Sequence, residues 1–184
     1  MNTLDGTYAL LTRASTADVV QALDVPAWVG RMDGWTVAAL DPALITDQWP
    51  DPTPDRISSH TGEAVVAVWD GGETVGLAAS RDGDTEPMMF STGYLPPTGL
   101  IRGRLWLRGW TAAAQELAER AGVSGRGTAL GEVRQPAPDG SSIPVTVLLD
   151  RAIAALGLPP AIRGTSVHDP SRLEDAIRVD PPQM

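Results

Sequence analysis

The sequence contains no lysine and no cysteine, and all 14 of its basic residues are arginine. A chain without lysine cannot form a Schiff base with a substrate, and it lacks the lysine of a phosphate-binding loop. Without cysteine it has no thiolate nucleophile, no thiolate zinc site and no disulfide. The chain has only two histidines, His60 and His168. These absences favour a protein that binds over one that catalyses a reaction, and we expect neither a cofactor nor a metal ion.

Long apolar runs are also missing. One of the longest, residues 64–69, is far too short to span a bilayer. The first residues show neither a basic stretch nor an apolar signal segment, so we expect a cytoplasmic protein. The net charge is -9, which repels nucleic acid phosphates and anionic membranes and favours basic partners. We therefore expect another protein, a basic one, as the partner, and neither nucleic acid nor a membrane.

The order of the predicted elements favours an α+β fold, with a mainly antiparallel sheet from the N-terminal two thirds and helices packed on it from the C-terminal third. Asp33-Gly34 and Gly71-Gly72 each separate two extended runs, which is typical of β-hairpins. The predicted strands are residues 8–12, 27–32, 35–40, 63–70, 73–80, 88–91 and 100–107. The predicted helices are residues 15–24, 110–121, 144–156 and 170–177, the last with Ser171 and Glu174 as a capping box.

The chain is divided into three parts by composition. Residues 1–122 form the predicted α+β core domain. Residues 123–143 are rich in Gly, Pro and Ser and are predicted to be a loop. Residues 144–184 are predicted to be a helical segment that packs on the same domain.

The N-terminal forty residues offer one resemblance. The strand–helix–hairpin order with the step Gly34-Trp35-Thr36 resembles a group of uncharacterised actinobacterial domains. The resemblance covers under a quarter of the chain, and it implies no activity.

An arginine- and tryptophan-rich segment is the first candidate binding surface. Strand alternation over residues 101–110 would place Arg102, Arg104, Trp106 and Arg108 on one face, where Trp106 could stack against its arginine neighbours. The other face would carry Ile101, Leu105 and Leu107. Trp and Arg are enriched at the energetic centres of protein interfaces. The pattern predicts a docking surface for an anionic ligand or an acidic patch of a partner. The alternative is the solvent face of a sheet whose arginines pair with acids on adjacent strands.

An acidic, proline-rich segment is the second candidate. Residues 41–58 are predicted to form an exposed, semi-rigid loop in which Asp47, Asp51 and Asp55 surround Trp49. A stiff loop with carboxylates and one aromatic anchor could insert into a basic cleft, since preorganised loops lose less entropy on binding. The alternative is a solvated connection between strands.

Two further clusters carry weaker signals. Asp82, Asp84 and Glu86 surround Gly83, but the spacing does not fit a calcium loop, and a charged turn is the better interpretation. His168 and Asp169 could orient a general base, but Asp169 precedes a proline and is better explained as a helix cap.

Three functional hypotheses follow. The first is a small acidic protein-binding module, most specifically an inhibitor of the immunity or antitoxin type that binds a basic toxin domain. The second is an enzyme of unrecognised class that holds an anionic substrate through Arg102, Arg104 and Arg108. The third is a phage or secretion-system assembly component.

Overall fold

The computed structural model describes residues 6–45, 49–91, 99–134 and 141–180. Within them, the strands are β1 (Thr7–Thr12), β2 (Ala27–Met32), β3 (Trp35–Ala39), β4 (Val65–Asp70), β5 (Thr74–Arg81), β6 (Asp84–Ser91) and β7 (Glu174–Val179). The α-helices are α1 (Thr16–Ala22), α2 (Thr53–Thr61), α3 (Leu100–Arg120), α4 (Gly127–Glu132) and α5 (Val145–Leu156). Short 3-10 helices lie at Pro42–Leu44, Ser124–Arg126 and Pro160–Ile162. The predicted α+β class is confirmed.

The seven strands form one sheet in the order β6-β5-β4-β1-β3-β2-β7, and every neighbouring pair is antiparallel. The central strand β1 places Leu11 opposite Val37 on one side and Val66 on the other. All six residues of β1 are buried because both faces of the strand are covered, and its central residues 8–11 do not alternate with charged residues.

Helices cover both faces of the sheet, so the molecule has three layers. On one face α3, α4 and α5 pack over a core that includes Leu11, Val66 and Leu77. On the other face α1 and α2 pack over Tyr8, Leu10 and their neighbours. Successive residues of β1 therefore belong to different cores, as the alternation of side chains along a strand requires.

Several local signals act as the sequence predicts. The Ser15 side chain accepts a hydrogen bond from the Asp18 backbone N–H at 3.1 Å and begins α1. Asp33 and Gly34 take positive φ angles of 48° and 78° in the turn between β2 and β3. Gly157, also left-handed, ends α5.

Three local predictions are wrong. Residues 41–58 are not a continuous exposed loop, because they contain a 3-10 helix and most of α2, which tolerates prolines in its first turn. The predicted loop at 123–143 contains α4. The predicted helix at 170–177 is replaced by a turn and β7, and Asp169 caps no helix but accepts hydrogen bonds from Ser171.

The last strand is explained by its partner rather than by its own pattern. β7 pairs with β2, with Val29 opposite Ile177, and supplies the hydrogen bonds that the outer edge of β2 otherwise lacks. Gly30 permits the close approach, since a Cβ there would lie 2.8 Å from the Glu174 carbonyl oxygen and 2.9 Å from the Leu173 Cβ.

Candidate functional site

The arginine-rich segment lies on a helix and not on a strand. Residues 100–107 form the first two turns of α3, so the predicted strand is wrong. The inward-facing residues Gly103, Trp106, Trp110, Ala114 and Leu117 recur at steps of three or four, which is the spacing of one helical face. The strand prediction relied on alternation over eight residues and overlooked this longer period.

The first half of α3 exposes large apolar side chains. The exposed fractions are 79% for Leu100, 76% for Ile101, 63% for Leu105 and 46% for Leu107. Single exposed apolar residues are ordinary on protein surfaces, but a group within two turns of one helix is typical of an interaction site. The strand interpretation did not predict this group, because it placed Ile101, Leu105 and Leu107 on the face away from the arginines.

Arg102, Arg104 and Arg108 are all exposed, and none of them forms an ion pair within the described residues. Arg104 and Arg108 are four residues apart and share a helix face, whereas Arg102 lies on the opposite flank. The sequence contains no acidic residue between Glu86 and Glu116. This part of an acidic protein is therefore locally basic.

An open depression of about 700 Å³ lies along the exposed side of α3 between Arg104 and Gln115. In the described part of the chain its lining comes from α3 alone, namely Arg104, Leu105, Leu107, Arg108, Thr111, Ala112 and Gln115. Apolar and cationic groups therefore face the same space.

Trp106 does not share the outer surface with the arginines. Its ring lies parallel to that of Trp110, with 6.3 Å between centroids, and packs at the edge of the core. The guanidinium near it belongs to Arg134, which lies 4.1 Å from the centre of the Trp110 ring and 4.8 Å from that of Phe90. The Trp110 indole N–H donates to the Gly131 carbonyl at 2.9 Å. These contacts attach α4 to α3 and hold the start of α3 in place.

The acidic segment turns inward. Asp47 lies outside the described residues. The Trp49 ring stacks on Trp69 at 5.5 Å and meets the edge of Tyr8 at 6.1 Å. Within the described chain its buried indole N–H has no hydrogen-bond acceptor. The expectation of an exposed aromatic anchor is therefore wrong, and Trp49 belongs to the core beside α1 and α2.

Asp51 and Asp55 are engaged by groups of the protein itself. Asp51 accepts hydrogen bonds from the Tyr8 hydroxyl and, at 2.7 Å, from the Thr53 hydroxyl. Burial, followed by the charge and hydrogen bond of Asp51, raises the pKa of Tyr8 above its ordinary value. Asp55 accepts from the hydroxyls of Ser80 and Thr85 and so ties α2 to β5 and β6.

The two predicted patches lie on opposite faces of the sheet. Trp49 packs with the α1–α2 layer, whereas Trp106 packs with the α3–α5 layer. The structure therefore does not bring the seven described contact residues of the prediction together into one surface.

The weaker clusters offer no chemistry beyond their structural contacts. Asp82 and Gly83 form the turn between β5 and β6, both with positive φ, as the charged-turn interpretation predicts. The His168 Nε2 lies 3.6 Å from an Asp41 carboxylate oxygen. Among the described residues, no group of three His, Asp or Glu side chains is arranged to hold a metal ion. No helix in those ranges is long and apolar enough to cross a bilayer.

Comparison with protein-family models, curated proteins and solved structures gives no match.

Proposed function

We propose that this protein is a cytoplasmic binding module that recognises another protein through the exposed side of α3. The observation that supports the proposal is the exposure of Leu105 and its apolar neighbours beside three arginines that form no ion pair with any described residue. Burying exposed leucine and isoleucine against a partner contributes about 1.5–3 kcal/mol for each side chain that becomes fully buried. Arginines beside them add directional hydrogen bonds to carboxylates.

The helix is well suited to present such a surface. Its inner side is fixed by Trp110, by the Arg134 contacts and by Leu117, which is fully buried. A rigid scaffold reduces the conformational entropy that would be lost on binding.

Site-specific photo-crosslinking tests this proposal. A benzoylphenylalanine at position 105 should form an adduct with one protein in the native host, and excess unlabelled protein should suppress that adduct. The same amino acid at Ser59, which is exposed on α2 on the other side of the sheet, is the matched control. The proposal would be contradicted if the unlabelled Leu105→Asp variant suppressed the adduct as well as unlabelled native protein does. It would also be contradicted if adducts formed at position 59 and not at position 105.

Inhibition of a basic toxin domain is a second candidate, and the net charge of -9 favours it. Since Asp51 and Asp55 are engaged internally, exposed acids such as Asp82 would have to make the contacts. A basic partner should associate faster at low salt, because charge steering is screened over about 8 Å at physiological ionic strength. An association rate that does not change with salt would remove this candidate.

A further inference from the structure

The outer side of α3 has the residue spacing of a coiled-coil seam. Ile101, Leu105, Arg108 and Ala112 follow one another at steps of four, three and four residues. This is the alternation of the two inner positions of a heptad, and all four residues are exposed. The seam extends for about 17 Å at 1.5 Å per residue.

The opposite side of the helix already has a partner. Trp106, Trp110, Ala114 and Leu117 pack against the sheet layer. The seam is thus a side of α3 that no other element of the described chain covers, and one additional elongated element could pack along it.

Arginines border the seam on both sides. In the heptad assignment that places Ile101 and Leu105 inside, Arg102 and Arg104 occupy the two flanking positions. Charges at these positions select the partner by pairing across the interface. A second copy of α3 on this seam would place arginine against arginine, which is repulsive.

Arg108 lies within the seam itself. Covering a guanidinium with an apolar surface leaves an uncompensated charge, whose cost exceeds the gain from burying a neighbouring leucine. A complementary partner must therefore place a carboxylate or several carbonyl oxygens opposite Arg108.

We infer that the partner presents an amphipathic helix that packs along Ile101, Leu105 and Ala112, with Asp or Glu at its flanking positions and opposite Arg108. This inference rests on the proposed function and specifies the chemistry of the partner. Small residues at 111 and 112 allow close approach near the C-terminal end of the seam.

The same surface is less suited to a membrane. Trp106 and Trp110, which would favour the headgroup region, face inward. The remaining residues carry a net charge of -12, because removing Arg102, Arg104 and Arg108 lowers the total of -9 by three. Anionic lipids would repel that remainder.

Two three-heptad helical peptides serve as probes. Both have Leu and Ala at the inner positions; one has Glu at the flanking positions and the other has Lys. Fluorescence anisotropy with the full chain should show the acidic peptide binding at least about tenfold more tightly than the basic one. The double variant Arg102→Glu/Arg104→Glu should reverse this preference.

Arg151→Glu is the matched control, since Arg151 is an exposed helical arginine outside α3. It should leave the preference unchanged, and circular dichroism should show that all variants remain folded. Equal affinity for both peptides, or binding of neither, would overturn the inference; a continuing crosslink at position 105 would then leave the proposed function standing.

Two other outcomes would also overturn the inference. One is binding to phosphatidylglycerol vesicles without binding to the acidic peptide. The other is a homodimer, detected by sedimentation, that is lost in Leu105→Asp. The absence of any crosslink at position 105 would instead remove the proposed function itself.

Discussion

Replacing Trp49 with alanine tests whether the acidic segment is part of the core. The ring stacks on Trp69 and covers the backbone at Gly76, so its removal exposes both. Emptying a large aromatic site costs roughly 3–5 kcal/mol. Because the Trp49 side chain is only partly buried, we expect the low end of this range, about 3 kcal/mol. In a chain of this length that corresponds to a fall in melting temperature of roughly 6–12 °C.

Gly76 provides a second variant that isolates the contact. A Cβ at Gly76 would lie 2.5 Å from Trp49 Cε2, and the three heavy atoms nearest to it all belong to Trp49. Gly76→Ala should therefore destabilise the native protein by about 1–3 kcal/mol. In the Trp49→Ala background the added methyl group enters the vacated space, so its cost should disappear or change sign. Urea unfolding of the four proteins gives this coupling free energy directly.

Trp49→Phe is the conservative control. Phenylalanine keeps an aromatic ring on Trp69 and removes a buried indole N–H that has no acceptor in the described chain. Its cost should be less than half that of Trp49→Ala. A Trp49→Ala cost below about 1 kcal/mol, together with additive effects of Trp49→Ala and Gly76→Ala, would refute the packing argument.

Three other predictions concern α2, β6 and α3. Asp55→Ala should lower the free energy of unfolding in urea by about 1–3 kcal/mol, because the hydroxyls of Ser80 and Thr85 lose the carboxylate to which they donate. A loss near zero would show that these two hydrogen bonds do not stabilise the fold. Burial and the charges of Glu116 and Asp84 raise the pKa of Glu86 above its ordinary value. The contribution of Glu86 to the free energy of unfolding is therefore fully present below the ordinary pKa of glutamate, and it is lost as the pH rises through the raised pKa of the folded protein. Glu86→Gln should thus melt higher than native protein at neutral pH and lose that advantage below about pH 4, whereas an unchanged difference would argue against the shift. Leu105→Asp should change stability by no more than about 0.5 kcal/mol, and a larger loss in thermal melting would show that Leu105 is structural.

The elements that sequence patterns predicted correctly are those whose signal is local. The Ser15 cap, the Asp33-Gly34 turn and the glycine after α5 depend on a few neighbouring residues and on backbone stereochemistry. Their positions follow from the sequence without knowledge of the rest of the fold.

The wrong predictions have a different cause, because the structure of those segments depends on residues that are distant in the sequence. β7 exists because β2 offers an open edge and because Gly30 lets the chain approach. Trp49 is partly buried because the side chains of Trp69 and Tyr8, which are paired on neighbouring strands, project from the same face of the sheet. The composition of the proline-rich segment at 41–58 does not indicate which distant residues it will contact. The packing of Trp49 could therefore not be predicted from that composition.

The start of α3 shows how a short window misleads. Alternating apolar and basic residues over eight positions resemble an amphipathic strand, yet extending the window to Leu117 gives a continuous helical period. The longer window also exchanges the inner and outer faces, so that Leu105 and Ile101 become exposed and Trp106 becomes partly buried. The arginines stay on the surface in either case, which is why the residue types of the candidate site were predicted while its geometry was not.

Net charge is a poor basis for predicting what this protein binds, because it includes carboxylates that already form hydrogen bonds or ion pairs within the fold. Asp51 and Asp55 accept hydrogen bonds from hydroxyl groups, and Asp70 shares Arg163 with Asp150. These carboxylates are committed to holding helices and loops on the sheet. On α3 the opposite holds, since Arg102, Arg104 and Arg108 make no ion pair in the described chain and stand beside exposed leucines. The binding preference of that surface should be determined by these exposed guanidinium groups. We therefore expect an acidic partner there, even though the chain as a whole is acidic.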